Sequence, residues 1–280
     1  MSTSEPVEPP KGRLDHLLPQ GYLDGFTDPS TLGQIAVFDI RNQRWFESGT
    51  PRVAAIRGFY DYSPGSEPDK TADEAFKEFE EKFPIIVREL VGKAFSGWRD
   101  HLEFLLGYAQ MLRARTELFR EQELAQARQA TILRVKEVFQ DPKTGQTAIR
   151  YEPMAETGAE RETLFRNLSV TKMRGEIAKG AAFFSKMNWC LRATNTPADP
   201  VITGDTPVIV EGQAPTLEAA LEDPRTLLFF PLCWRACLVG SPAKFDVETD
   251  SFHACDLRRL RSRYLRTESR FAYSPTRLAE

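Results

Sequence analysis

The sequence has one segment in which a short polar break divides a long apolar run: Val201-Ile202-Thr203-Gly204-Asp205-Thr206-Pro207-Val208-Ile209-Val210. Two apolar runs, each with the composition of a buried strand, flank the polar residues 203–207. The polar residues predict a kink or a tight connection, which leaves the carboxylate of Asp205 at the end of a buried strand. Because α/β proteins usually display their chemistry at strand ends, Asp205 is the first candidate for a functional residue.

The first half of the chain predicts short strands followed by long helices. Its elements are, in order, a helix over about 19–26, a hairpin of strands 33–40 and 44–47, a helix over 69–83 and a helix over 97–118. Pro84 is expected to kink or restart the helix over 69–83, and its apolar stripe continues over 85–91. The helix over 97–118 could extend as far as Arg128.

The second half predicts mainly strands. Its elements are strands over 131–139 and 147–151, a helix over 160–179, strands over 185–194, 226–232, 235–240 and 270–274, and helices near 216–221 and over 256–265. A helix that continues through Val138 is the alternative to the first strand pair. The helix over 160–179 is expected to point Leu164, Leu168, Met173 and Ile177 inward.

The order of these elements favours an α+β fold. Strands lie at both ends and helices in the middle, without regular strand–helix alternation. We therefore expect a mixed or antiparallel sheet, built from N- and C-terminal strands, that packs against a central helical block. Residues 12–280 form the single domain in this interpretation, and residues 1–11 are a disordered tail because they are Pro-rich and offer almost nothing to bury.

The composition is that of a soluble globular protein. The chain has 280 residues, of which 41% are hydrophobic and 28% charged, and its formal net charge of −3 gives no basic field that would attract nucleic acid or a membrane. Its N-terminus lacks the apolar region of a signal peptide, and no apolar run approaches the roughly 18 residues of a membrane span. Four cysteines are too few for a disulfide scaffold. We expect a cytoplasmic protein with reduced thiols and no membrane partner.

Several short motifs occur in an order that resembles one bacterial family. They are His16-Leu17-Leu18-Pro19-Gln20-Gly21-Tyr22-Leu23-Asp24-Gly25-Phe26, the hairpin 34–46, Arg57-Gly58-Phe59-Tyr60, Arg115-Thr116, Ile202-Thr203-Gly204-Asp205-Thr206-Pro207, Phe229-Phe230-Pro231-Leu232 and Arg270-Phe271-Ala272-Tyr273-Ser274. Together, over residues 14–275, the chain resembles the proteins grouped as domain of unknown function 4238.

That family typically has a His-x-x-Pro-x-x-Tyr-Leu-x-x-Phe pattern near its start and a Thr-Ser-Asp-x-Pro segment late in the chain. Two positions depart from the pattern: Asp15 stands where the family often has a second His, and Gly204 replaces the usual Ser. The resemblance implies a fold and a set of residues to examine, but no reaction.

His16 and Asp205 are the candidate catalytic residues. A histidine paired with a carboxylate can act as a general base with its orienting group, or can hold a metal. The structural alternative is an imidazole beside a helix start and an aspartate bonded within its own turn. We expect the two side chains to approach within about one water of hydrogen-bonding distance.

Gln20 and Arg115 are the candidate substrate-binding residues. Arginine binds phosphate or carboxylate groups with two parallel hydrogen bonds, which suits a phosphorylated ligand. The alternative is that arginines of this helix, Arg120 above all, lie on a solvated face.

No metal site is predicted, and the sequence leaves the question of a cofactor open. Cys233, Cys237, His253 and Cys255 have the wrong spacing for a common zinc site, and Cys233 and Cys237 are expected to share one face of an apolar strand as small hydrophobic residues. The five arginines between 258 and 266 form a basic helix that could contact nucleic acid. The favoured alternative is a solvated face balanced by the acidic segment 67–82.

Three functions remain open at this level. The first is an enzyme that acts on a phosphorylated or nucleic-acid substrate through His16, Asp205 and Arg115. The second is a non-catalytic binding or interaction module, which predicts dispersed polar residues and an exposed apolar patch. The third is a sensor of a small molecule. Convergence of the candidate residues in one place would favour the enzyme.

Overall fold

The structure of the protein is a computed structural model. It describes residues 14–28, 30, 33–57, 59, 70–129, 133–140, 147–153, 158, 160, 164–165, 167–169, 171–173, 175, 182, 184–196, 198–212, 217–266 and 270–278. The predicted tail 1–11 lies outside these residues.

The described elements follow the predicted order closely. The strands are β1 Leu14–His16, β2 Gln34–Asp39, β3 Arg44–Gly49, β4 Ala55–Arg57, β5 Leu133–Gln140, β6 Thr147–Pro153, β7 Asn188–Ala193, β8 Thr203–Gly204, β9 Ile209–Glu211, β10 Leu227–Cys233, β11 Ala236–Ser241, β12 Thr249–Ser251 and β13 Phe271–Ser274. The helices are α1 Gln20–Leu23, α2 Lys70–Gly92, α3 Leu102–Ala114, α4 Glu117–Gln129, α5 Leu217–Ala220 and α6 Ala254–Arg266. Single 3-10 turns cover Asp24–Phe26, Thr50–Arg52 and Trp98–His101.

The fold is α+β as predicted, with two larger sheets, one of which joins strands from both ends of the chain. One sheet has the strand order β3-β2-β13-β8 and the other has the order β12-β7-β11-β10-β9. In the first sheet the N-terminal strand β2 pairs with the C-terminal strand β13. The described pairings are antiparallel except for β12 with β7. The strands β1 and β4, and likewise β5 and β6, form small sheets of two strands.

The stretch 201–210 passes from one large sheet to the other. Thr203 and Gly204 pair with β13 in the four-stranded sheet, whereas Ile209 and Val210 pair with β10 in the five-stranded sheet. The prediction of two full strands is wrong, because Val201 and Ile202 are buried but belong to no strand. The polar break is correctly placed, and Asp205 follows directly after β8 at the connection between the sheets.

The five-stranded sheet is apolar on both faces. Alternate residues of β10 point in opposite directions, so that Leu228 and Phe230 join a core with the helices α1 to α3, whereas Phe229 joins a core with α6. In the first core the rings of Phe83 and Tyr108 stack with centroids 4.0 Å apart. A sheet covered on both faces explains why β10 and β11 are apolar throughout.

One helix agrees with the prediction in part, and another differs from it. α2 continues through Pro84 to Gly92, so it includes the predicted apolar stripe 85–91 and is not restarted at Pro84. The helix predicted over 97–118 is interrupted after Ala114, and a new helix starts at Glu117. The hydroxyl of Thr116 accepts a hydrogen bond from the N–H of Phe119 at 3.1 Å and thereby caps α4. A threonine that caps a helix start looks like any other polar residue in a pattern of apolar spacing.

In the middle of the chain the predicted hairpin is confirmed, and the predicted orientation of one helical residue is wrong. β5 and β6 pair as an antiparallel hairpin, so the continued helix through Val138 is wrong. Residues of the predicted helix 160–179 that the structure describes are helical, and Met173 is buried. Leu168 was expected to point inward but is 36% exposed. Ile177 lies outside the described residues.

Candidate functional site

The carboxylate of Asp205 is held by three hydrogen-bond donors at the connection between the two sheets. Its Oδ1 accepts a bond of 2.6 Å from the hydroxyl of Tyr273, and its Oδ2 accepts bonds from the backbone N–H groups of Arg270, at 3.1 Å, and Phe271, at 2.8 Å. The backbone N–H of Asp205 in turn donates to the carbonyl of Phe271. The carboxylate therefore has a fixed orientation against the start of β13.

Burial raises the pKa of Asp205 from its ordinary value of 3.8 to about 6. The three hydrogen bonds favour the ionised form and act in the opposite direction, while the negative charge of Glu117 raises the pKa further. A carboxyl with this pKa exists in both protonation states near neutral pH. It can therefore release a proton or take one up, as a general acid or base does.

Three buried tyrosines hold the segment 203–207 from three different elements. The hydroxyl of Tyr22 in α1 lies 2.9 Å from Oγ1 of Thr203. The hydroxyl of Tyr264 in α6 donates to the carbonyl of Pro207 at 2.6 Å, and Tyr273 in β13 bonds Asp205. Each ring is fully buried. The segment is therefore rigid, and its position depends on elements from both ends of the chain.

His16 ends β1 and bonds through both its ring and its backbone. Its Nε2 lies 3.2 Å from the carbonyl oxygen of Pro51. Because a carbonyl oxygen only accepts hydrogen bonds, Nε2 carries the proton in this contact, and the basic nitrogen of the neutral ring is Nδ1. The carbonyl oxygen of His16 accepts a bond of 2.5 Å from the guanidinium of Arg115.

Arg115 is buried at the end of α3, with a side chain only 4% exposed. Its guanidinium forms an ion pair with Glu80 of α2 and lies 4.7 Å from the ring centroid of Phe76. These contacts and the bond to His16 join three elements: β1, α2 and α3. Arg115, which was predicted to bind substrate, is thus buried and bonds to other parts of the protein.

The corner between α3 and α4 connects the two halves of the predicted site. Arg115 contacts His16, and two residues later Glu117 lies close enough to Asp205 and Tyr273 to raise the pKa of both. Within the described part of the chain, however, the hydrogen bonds of the Asp205 side chain go to Arg270, Phe271 and Tyr273 and none goes to His16. The two side chains thus share no direct hydrogen bond, and their approach within about one water stays a prediction.

Gln20 and Arg120 lie in different settings. Gln20 is exposed as the first residue of α1. Arg120 donates to the carbonyl of Phe59 at 2.8 Å and lies 4.7 Å from the centroid of that ring, so it is not the solvated side chain that the sequence favoured.

The sequence missed three residues around Asp205: Tyr273, Arg270 and Glu117. Arg270 and Tyr273 belong to one of the motifs that carried the family resemblance, which was the only signal for them. Arg270 is exposed, and its guanidinium lies 4.8 Å from the ring centroid of Phe271. Glu117 gave no signal, because nothing in a helical pattern indicates which acidic residue faces a distant strand.

Cys233 and Cys237 do not share one face of a strand, contrary to the prediction. Cys233 ends β10, whereas Cys237 lies in β11, and the turn at Trp234 and Arg235 separates them. Both thiols are buried, and burial raises the pKa of Cys233 to about 11. Among the residues that the structure describes, no group of three or more His, Cys, Asp or Glu side chains is placed to hold a metal ion.

The basic helix α6 is balanced by acidic residues other than those predicted. Arg259 and Arg263 bond Glu211, and Arg261 bonds Asp199 and the carbonyl of Pro200. The predicted balance with the acidic segment 67–82 is therefore wrong for these arginines. Their intramolecular pairing leaves less positive charge for nucleic acid than the sequence indicates.

The fold and the site define an α+β protein with a carboxyl group held by three hydrogen bonds where its two large sheets connect. A family model described as "Protein of unknown function (DUF4238)" matches residues 15–254, and the chain belongs to this family. A comparison with curated proteins and a comparison with solved structures found no match. No helix in the described part of the chain is both long and apolar enough to cross a membrane.

Proposed function

We propose that the protein is an enzyme that acts on a phosphorylated or nucleic-acid substrate, with Asp205 as its general acid–base residue. The observation that carries this proposal is the Asp205 carboxyl, oriented by three donors and with its pKa raised to about 6. Acid–base catalysis is most effective when the pKa of the catalytic group is close to the working pH. Strongly shifted pKa values also concentrate at functional sites.

His16 is the second catalytic residue in this proposal. Its bond to the carbonyl of Pro51 fixes the ring in the form whose Nδ1 is basic. One group then takes a proton from the attacking nucleophile while the other gives a proton to the leaving oxygen. The link through Arg115 and the α3–α4 corner supports a common site for the two groups.

The side chain of Arg270 supports the proposal that the substrate is anionic. The backbone N–H of Arg270 bonds the Asp205 carboxylate, and its side chain is exposed, with the guanidinium packed against the ring of Phe271. Guanidinium groups bind phosphate oxygens with paired hydrogen bonds. Arg115 and Gln20 remain predicted substrate-binding residues, although the buried ion pair of Arg115 with Glu80 supports a positioning role for Arg115.

The cytoplasm of a bacterium is the proposed location. The four cysteines are free thiols, and three of them are buried in the core. Free thiols persist in a reducing compartment, which supports this location.

The test is turnover of phosphate esters by the wild type and by Asp205→Asn. Phosphomonoesters, single-stranded nucleic acid and double-stranded nucleic acid are each incubated with the protein between about pH 5 and 8, and released phosphate or shortened strands are measured. We expect Asp205→Asn to lose about 100-fold or more in rate, as removal of a general acid–base group does. Asp223→Asn, at a surface turn where Asp223 pairs with Arg225, is the control. Equal rates for wild type and Asp205→Asn would refute the proposal.

The binding module remains the alternative, because one apolar pair is exposed as that function predicts. Val138 and Ile149 lie directly opposite each other on the hairpin of β5 and β6 and are 63% and 47% exposed. Large exposed apolar groups on a small sheet of two strands suit contact with another protein. Sedimentation of the wild type against a Val138→Lys, Ile149→Lys variant tests whether this pair joins two copies of the chain.

A further inference from the structure

The two oxygens of Asp205 differ in the number of donors that they face. Oδ2 accepts the N–H groups of Arg270 and Phe271, so both of its lone pairs are in use. Among the described residues, Oδ1 accepts only the hydroxyl of Tyr273, at 2.6 Å, which leaves one of its lone pairs unused by them. A proton on Oδ2 would point at backbone N–H groups, which have no lone pair to accept it.

We infer that Oδ1 of Asp205 is the oxygen that takes up and releases the proton, and that Tyr273 is the positioning residue that holds this oxygen in place. The inference deepens the proposed function and rests on it for the catalytic role of the proton, whereas the part played by Tyr273 is testable without a substrate.

The hydroxyl of Tyr273 can keep its contact with Oδ1 in both protonation states of Asp205. It donates to one lone pair of Oδ1, and this bond can persist while the other lone pair binds the proton. The bond is stronger to the charged carboxylate than to the acid, so it favours the ionised form. Tyr273 therefore holds Oδ1 in place while the carboxyl changes its charge.

The position of Tyr273 is fixed by its strand. β13 pairs with β2 on one side and with β8 on the other, and Tyr273 itself lies opposite Val37 and Thr203. Its ring is fully buried, and burial beside the Asp205 carboxylate holds the pKa of the phenol well above its usual range. The hydroxyl thus keeps its proton throughout the range in which Asp205 titrates.

Two further charged groups act on this pair. Glu117 at the start of α4 raises the pKa of both Asp205 and Tyr273, and Arg270 lowers that of Tyr273. Both residues stay in place when only the hydroxyl of Tyr273 is removed. A change in the titration of Asp205 in such a variant then reports the lost hydrogen bond.

The experiment compares Tyr273→Phe with Tyr264→Phe by carbon NMR of the full chain labelled at the aspartate carboxyl carbons. The Asp205 signal is assigned by its loss in Asp205→Asn. We expect Tyr273→Phe to raise the titration midpoint of Asp205 by about one pH unit, because a donor that stabilises the carboxylate is lost. Tyr264→Phe removes an equally buried hydroxyl, bonded to Pro207, and is expected to leave the midpoint unchanged.

An unchanged midpoint in Tyr273→Phe, or equal shifts in both variants, would overturn the inference. If Tyr273→Phe does not fold, wild-type protein labelled at the tyrosine ring carbon bearing the hydroxyl is titrated instead. The Tyr273 signal must then follow the Asp205 midpoint, and a Tyr273 signal that stays constant while Asp205 titrates would also overturn it. A shifted midpoint in a protein without turnover on any phosphate ester would refute the enzyme proposal while leaving the role of Tyr273 in place.

Discussion

The hydroxyl of Tyr22 lies 2.9 Å from Oγ1 of Thr203, although 181 residues separate the two in sequence. Tyr22 donates its one proton to the carbonyl of Pro231 at 3.0 Å, so Thr203 is the donor in the bond between the two hydroxyls. Thr203 belongs to the four-stranded sheet and Pro231 to the five-stranded sheet. One side chain of the short helix α1 therefore joins both large sheets.

We expect Tyr22→Phe to lower the free energy of unfolding by about 1–3 kcal/mol, because it leaves buried polar groups of Thr203 and Pro231 without their partner. Urea denaturation measures the difference. Tyr108→Phe is a matched control, since the equally buried hydroxyl of Tyr108 has no hydrogen-bond partner among the described residues. Its removal should be neutral or stabilising. Equal losses in the two variants would contradict this account of the Tyr22 hydroxyl.

The position of α1 depends on the absence of a side chain at Gly21. A Cβ atom there would lie 2.5 Å from Cγ of Pro84, which is closer than two carbon atoms approach. We expect Gly21→Ala to cost about 1–3 kcal/mol of unfolding free energy, because the ring of Pro84 in α2 is stiff and must move as a whole. Thermal unfolding of Gly21→Ala, with and without Pro84→Ala, measures the cost and its relief.

Gly92→Ala is the control for this substitution. Nothing lies within 4 Å of a Cβ atom at Gly92, so alanine should leave stability unchanged or raise it slightly. If Gly21→Ala is as stable as Gly92→Ala, the close approach of α1 and α2 is not a constraint.

The sequence was sufficient for the elements whose pattern is local. Alternating and continuous apolar runs placed β2, β10 and β13, and the position of strands at both ends led to the correct fold class. It failed where distant contacts decide the outcome. The helix break at Thr116 depends on one capping hydroxyl. The apolar spacing continued past Pro84, but it did not decide whether the helix restarts there.

The candidate site could be only partly predicted from the sequence, for the same reason. Asp205 was found because a polar break within an apolar run is a local signal. Its partners Tyr273 and Glu117 come from a strand and a helix that the sequence gives no reason to place together. Arg115 was found as a cation late in a helix, but its partner Glu80 on α2 became evident only from the packing of the two helices.

Arg115→Ala should destabilise the protein because it leaves the carbonyl of His16 and the carboxylate of Glu80 without their shared donor. Removing one member of a buried ion pair costs about 3–5 kcal/mol, and we expect about 2–3 kcal/mol here because Glu80 is partly exposed to water. Guanidinium denaturation measures the loss. Arg88→Ala, at an exposed position of α2, should change stability by no more than about 0.5 kcal/mol. A neutral Arg115→Ala would show that the link between β1, α2 and α3 carries no stability.

The raised pKa of Asp205 makes the stability of the protein depend on pH in a defined direction. The folded carboxyl has a pKa of about 6 and the unfolded one an ordinary value of 3.8, so between these values the folded state binds more protons. The contribution of Asp205 to stability is therefore most favourable below about pH 4 and falls as the pH rises toward 6. The full difference is at most about 3 kcal/mol, since one pKa unit corresponds to about 1.4 kcal/mol.

Asp205→Asn removes this titration and isolates it from the other ionisable groups. We expect the difference in unfolding free energy between Asp205→Asn and wild type to shift in favour of the variant as the pH increases from 4 to 7. Urea denaturation of both proteins at several pH values measures this difference, because the contributions of the remaining carboxyls cancel. A constant difference over that range would mean that the folded and unfolded carboxyls titrate alike. The acid–base role proposed for Asp205 would then lose its physical basis, because a carboxyl with an ordinary pKa is fully ionised at neutral pH.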